Sequence, residues 1–135
     1  RGVEEYAAKL SASRADPLLG PPTVSVGTIH GGVSANVVPD GCRIEVDRRL
    51  LPGEDATAAA ADLTAFLTAY PGVDFPFAVD PPSFALPPLN PAGNAAVVAR
   101  LGRAIDAVVG RHEVVGVPYG TDASTLADAG VPAVV

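Results

Sequence analysis

The chain has 135 residues, 48% of them hydrophobic and only 5% aromatic, with a formal net charge of −6. That length and apolar content exclude a disordered tail and allow one ordinary domain, or one small domain with a piece of another, built on Ala, Val and Leu. With no basic run, and no stretch near the ~18 apolar residues of a membrane span, nucleic-acid binding and membrane insertion are excluded as expectations. Fourteen prolines and 14 glycines favour short elements and tight turns. The single cysteine, Cys42, has no internal partner, which favours a reducing, cytoplasmic setting. The start RGVEEYAAKL is charged and helical rather than a signal peptide. The absence of methionine, and an end inside the apolar run GVPAVV, predict an internal segment of a longer protein.

In chain order, residues 3–13 predict the end of an amphipathic helix with Val3, Tyr6, Ala7 and Leu10 on one face. SASRADPLLGPP reads as a loop. Thr23–Ile29 alternates as a strand, broken at His30–Gly31–Gly32, where paired glycines suggest a bulge, a turn or a close approach. Cys42–Leu50 is the clearest strand. Cys42, Ile44 and Val46 face one way, and Arg43, Glu45, Asp47 and Arg49 face the other. Parity puts Arg48 on the apolar face. Either the strand ends or bulges near Asp47, or Arg48 snorkels at the sheet end. Cys42, also on that face, reads as a buried inert thiol.

Pro52–Gly53 turns the chain, and Glu54 and Asp55 open a helix whose stripe Ala59, Leu63, Phe66, Leu67 and Tyr70 faces the core. Pro71–Gly72 ends it. Val73, Phe75, Phe77 and Val79 alternate as a strand, with Pro76 pointing to an edge or bulge. Residues 1–80 therefore predict helix–strand–strand–helix–strand. This is an α+β, open-faced antiparallel sheet with helices on one side, a ferredoxin-like arrangement without its first strand. DPPSFALPPLNP marks a connector over 81–93. Residues 94–135 predict part of an α/β segment: a helix capped by Asn94 and closed by Gly110, a strand at Glu113–Val117, a short helix at Thr121–Ala129 closed by Gly130, and a strand from Pro132.

Candidate chemistry is sparse. A metal site needs three or four converging ligands, and the chain has two distant histidines, His30 and His112, and one cysteine. No catalytic residue and no metal ligand is assigned. Gly27–Gly32 lacks the features of a phosphate loop. What remains is a possible carboxylate-binding pair. Arg49 offers a rigid fork matched to a carboxylate, and Asn36 a neutral donor, provided the fold brings both to one cleft. The alternative is that Arg49 pairs with Asp47 or Glu45 at the surface while Asn36 serves a turn.

GTIHGG, NVVPDGC and EVDRRLLPGE together resemble the lid, or dimerisation, domain of the zinc-dependent exopeptidases and amidohydrolases. That family includes acetylornithine deacetylase, succinyl-diaminopimelate desuccinylase, aminoacylase and glutamate carboxypeptidase. YGTDASTLADAGVPAVV resembles the stretch where that family's chain has returned to its catalytic domain. The resemblance implies that Asn36 and Arg49 bind the substrate's carboxylate, with the asparagine often reaching into the neighbouring subunit's site. It places Gly120, Thr121 and Asp122 near bound substrate, although Thr121–Asp122 reads equally well as a plain helix N-terminus. It implies zinc (or cobalt) in the parent protein but not in this chain, whose sequence lacks the family's metal ligands and lid histidine; His30 does not replace the latter by position. The implied function is a segment of a two-zinc metallohydrolase cleaving an N-acyl amino acid or small peptide, peptidase or deacetylase, working as a homodimer on a small substrate with a carboxylate. Two rivals stand beside it: a non-catalytic pairing module, and a small-molecule-binding regulatory domain.

Overall fold

The computed structural model describes residues 1–135. Helix α1 spans Gly2–Ser13, strand β1 Thr23–Gly31, strand β2 Cys42–Arg49, helix α2 Ala56–Thr68, helix α3 Ala95–Val109 and helix α4 Asp122–Asp128; a 3₁₀ turn, Pro91–Asn94, precedes α3. The architecture is α+β, with α1 against an antiparallel hairpin and α2 against α1.

α1 begins with Glu4 and Glu5 in its first turn, where acids suit the helix dipole, and it buries Val3 and Tyr6. The loop after it is tied by Asp16, whose Oδ1 accepts from the backbone N–H of Leu18 (2.8 Å) and Leu19 (3.0 Å). Gly20 sits at φ 73°, and Pro22 behind it is fully buried. β1 and β2 pair from Thr23↔Arg49 to Gly31↔Cys42, with one irregularity between Val26 and Thr28. This bulge at Gly27 shifts the parity of β1, so Val26 lies opposite Val46 and Ile29 opposite Ile44, all on one face. The paired glycines at 31–32 instead begin the connection, with Gly32 at φ 75°.

Beyond β2, the chain turns at Gly53 (φ 86°), and Asp55 caps α2 by accepting from Ala58 N–H at 2.8 Å. The two helices meet through Tyr6 and Phe66, with ring centroids 5.3 Å apart, and through the Tyr70 hydroxyl, which donates to Glu5 at 2.7 Å. α3 ends at Gly110 in the left-handed region (φ 92°). α4 ends in a Schellman pattern, with Val131 N–H on the Leu126 carbonyl, Gly130 N–H on the Ala127 carbonyl, and Gly130 at φ 83°.

Five expectations are corrected. Residues 73–79 form no strand, and neither do 113–117 or 132–135. Alternation supplies a face, but a strand also needs a neighbour to take its N–H and C=O groups. Pro76 strips a donor from the first of these segments, and Pro71, Pro81 and Pro82 flank it. Asp80, at its end, still accepts from Arg43 of β2 at 3.1 Å. Asn94 holds the N-cap position of α3, but its side chain makes no capping hydrogen bond. Its amide, 2% exposed, donates to the Asn90 carbonyl (2.8 Å) and accepts from Ala133 N–H (2.7 Å), stitching the 3₁₀ turn to the end of the chain. Cys42 is exposed rather than buried, because the helices cover only the Thr23/Arg49 end of the hairpin and leave Ile29 and Ile44 open at the other.

Few side chains are buried: seven residues of 135, with Val3, Tyr6 and Leu51 the hydrophobic ones among them. The accessible surface is 9697 Å². A compact monomer of this mass, 13.6 kDa, exposes about 6,600 Å². Large hydrophobic side chains are exposed on both strands, on α3 and in the loops.

Candidate functional site

β2 alternates as its sequence requires, and its two faces have different fates. Towards the helices it presents Val46, Arg48 and Leu50, all partly buried. Arg48 keeps only 14% of its side chain exposed. It donates to Glu54 Oε1 at 2.6 Å and to the carbonyl of Arg49, while Glu54, 6% exposed, also holds Arg14 and accepts from Leu51 N–H. A buried acid six residues downstream thus answers the parity problem of Arg48. Burial lowers the Arg48 pKa from its ordinary value, with Tyr6 acting in the opposite direction, and its Nε has no partner. Sequence periodicity missed this network because Glu54 reads first as an acid at a helix start.

The other face of β2 is open. Thr28 Oγ1 donates to Glu45 Oε2 at 3.0 Å, and Arg49 donates through Nε to Asp47 Oδ1 at 2.8 Å. Arg49 and Asp47 are 57% and 50% exposed. This is the surface pairing that the sequence left as the alternative for Arg49.

Asn36 lies elsewhere. It sits in the turn Ser34–Val37, closed by Val37 N–H on the Ser34 carbonyl at 3.1 Å, and its Oδ1 accepts from Ser34 Oγ. That turn belongs to the Gly31/Cys42 end of the hairpin, whereas Arg49 is the last residue at the other end. Seven residue steps at ~3.4 Å separate Cys42 from Arg49, about 24 Å of strand. One protomer therefore does not bring Asn36 and Arg49 to one cleft.

Gly120, Thr121 and Asp122 form the start of α4. Thr121 Oγ1 accepts from Ala123 N–H at 3.3 Å, and Asp122 occupies the first turn. Gly120 lies against Leu86, where an added Cβ would come within 2.7 Å of the Leu86 Cδ1. A polar cleft of about 270 Å³ lies at the other end of α4, lined by residues that include Asn90, Asn94 and Asp128. His112 bonds Asp106 at 2.8 Å and covers Gly102, a structural arrangement. His30 is exposed on β1 opposite Arg43. No three His, Cys, Asp or Glu side chains converge to hold a metal ion. No helix is long and apolar enough to cross a membrane.

The helix–hairpin–helix unit is also where the likeness to known proteins lies. Residues 4–73 match the family model of the peptidase dimerisation domain, from α1 through the turn that ends α2. No curated protein matches the chain. That match covers half of the sequence, and the chain belongs to the peptidase dimerisation domain family of the M20 peptidases.

Proposed function

We propose that this chain is the lid and subunit-pairing segment of a metallohydrolase that cleaves an amide bond in an N-acyl amino acid or small peptide. The family match over residues 4–73 carries the reading. In it, residues 1–80 form the lid, 81–93 the connector, and 94–135 a segment of the catalytic domain, with the metal centre outside this chain. The protein works as a homodimer in the cytoplasm, on a substrate that presents a carboxylate.

The chain's own residues bind and orient; none of them performs the chemistry. Arg49, on the open face of the hairpin, receives the substrate's carboxylate with its planar fork. Asn36, at the opposite end of the hairpin, is too far away to help within its own subunit, which favours a contribution to the partner's site. Gly120, Thr121 and Asp122 complete the substrate contacts from the start of α4.

Arg49→Ala in the full-length enzyme tests the reading. Losing a charge-assisted hydrogen bond costs ~1.5–3 kcal/mol, so kcat/KM on a carboxylate substrate should fall by about one to two orders of magnitude. Wild-type kinetics in that variant would remove Arg49 from the site.

A further inference from the structure

Resting on the carboxylate-binding role of Arg49, we infer that Asp47 is a positioning residue: it grips the Arg49 guanidinium at Nε and leaves the terminal fork free for the substrate. The two residues share the parity of β2 and project from its open face. Their bond runs from Nε to Oδ1 at 2.8 Å, and neither terminal nitrogen of Arg49 makes a hydrogen bond within the chain. A guanidinium carries five donors, and a carboxylate can take the two outer N–H groups as a parallel pair. Asp47 therefore occupies one side of the group without blocking the end that a ligand needs.

Glu45, the next acid on the same face, is engaged by Thr28, and the residues opposite Asp47 and Arg49 are Ser25 and Thr23, neither of them charged. Asp47 is thus the acid that faces Arg49. The backbone beneath is also fixed, because the Arg49 carbonyl accepts from Arg48, which Glu54 holds on the far face. An exposed ion pair of this kind contributes little to folding. Its effect is on side-chain freedom: a long side chain already held in one arrangement loses less on binding.

The experiment is steady-state kinetics of the full-length enzyme on an N-acetyl amino acid that it hydrolyses and on the carboxamide of the same compound, which lacks the anionic group. Asp47→Asn should raise KM for the carboxylate substrate about three- to tenfold, leave its kcat within about twofold, and leave both constants for the carboxamide unchanged. Asp47→Glu, which restores the negative charge, should recover part of the loss. An unchanged or lowered KM in Asp47→Asn, or an equal effect on both substrates, would overturn the inference. Arg49→Ala separates the two levels. If it too leaves the carboxylate KM unchanged, the carboxylate-binding reading fails; if it raises KM while Asp47→Asn does not, only the role of Asp47 fails.

Discussion

Glu54→Ala probes the densest polar knot in the molecule. The change removes the partner of Arg48, which lies 2.6 Å away and is 14% exposed, together with the acceptor for Leu51 N–H. Removing one member of a buried pair leaves an uncompensated charge and costs ~3–5 kcal/mol. The remaining water contact of Arg48 puts the expected loss at the lower end, about 3 kcal/mol. Arg14, half exposed, adds little. Unfolding entropy near ~2.1 cal/mol/K per residue converts that loss to a Tm about 10 °C lower for a chain of 135 residues. Urea unfolding followed by circular dichroism should show a lower midpoint at unchanged slope. Glu54→Gln, which keeps an acceptor, should fall between the two. A loss below about 1 kcal/mol in Glu54→Ala would refute the view that this acid anchors the strand end.

Two further predictions concern packing and pH. Gly102→Ala places a Cβ 2.5 Å from His112 Nε2, and overpacking offsets the gain in helix propensity and exceeds it by up to about 2 kcal/mol. The same change in a His112→Ala background should be neutral or stabilising, and stabilisation in the wild-type background would contradict the contact. The hydrogen bond to Glu5 raises the Tyr70 pKa above its ordinary value. A phenol whose folded pKa lies above its unfolded one contributes in full below about pH 10 and loses that contribution as pH rises through the folded value. The stability difference between wild type and Tyr70→Phe should therefore shrink on the alkaline side; a difference independent of pH would rule out the bond.

What the sequence disclosed divides along physical lines. Local rules opened α2 at Glu54 and Asp55 and ended α3 and α4 at Gly110 and Gly130, because helix ends and left-handed glycines are set by a few adjacent residues. Parity placed Arg49 on the open face of β2 and left Arg48 beneath the helices. The segments at 73–79, 113–117 and 132–135 have strand-like patterns and no strand, because pairing depends on what lies alongside. Gly27 carries the bulge although the glycine pair at 31–32 drew attention to itself. Parity also fixed the face of Arg49 without showing that Asn36 sits at the other end of the hairpin. That distance turned an expected single cleft into a question about two subunits.

In the proposed dimer one subunit's Asn36 and the other's Arg49 serve the same substrate, and mixed dimers separate that arrangement from one within a single chain. An Asn36→Ala subunit paired with an Arg49→Ala subunit has one intact site if the asparagine acts across the interface, and none if it acts within its own chain. Purified mixed dimers carrying two different affinity tags should regain about half the wild-type activity while each mutant homodimer remains impaired. Mixed dimers no more active than the average of the two homodimers would contradict the account.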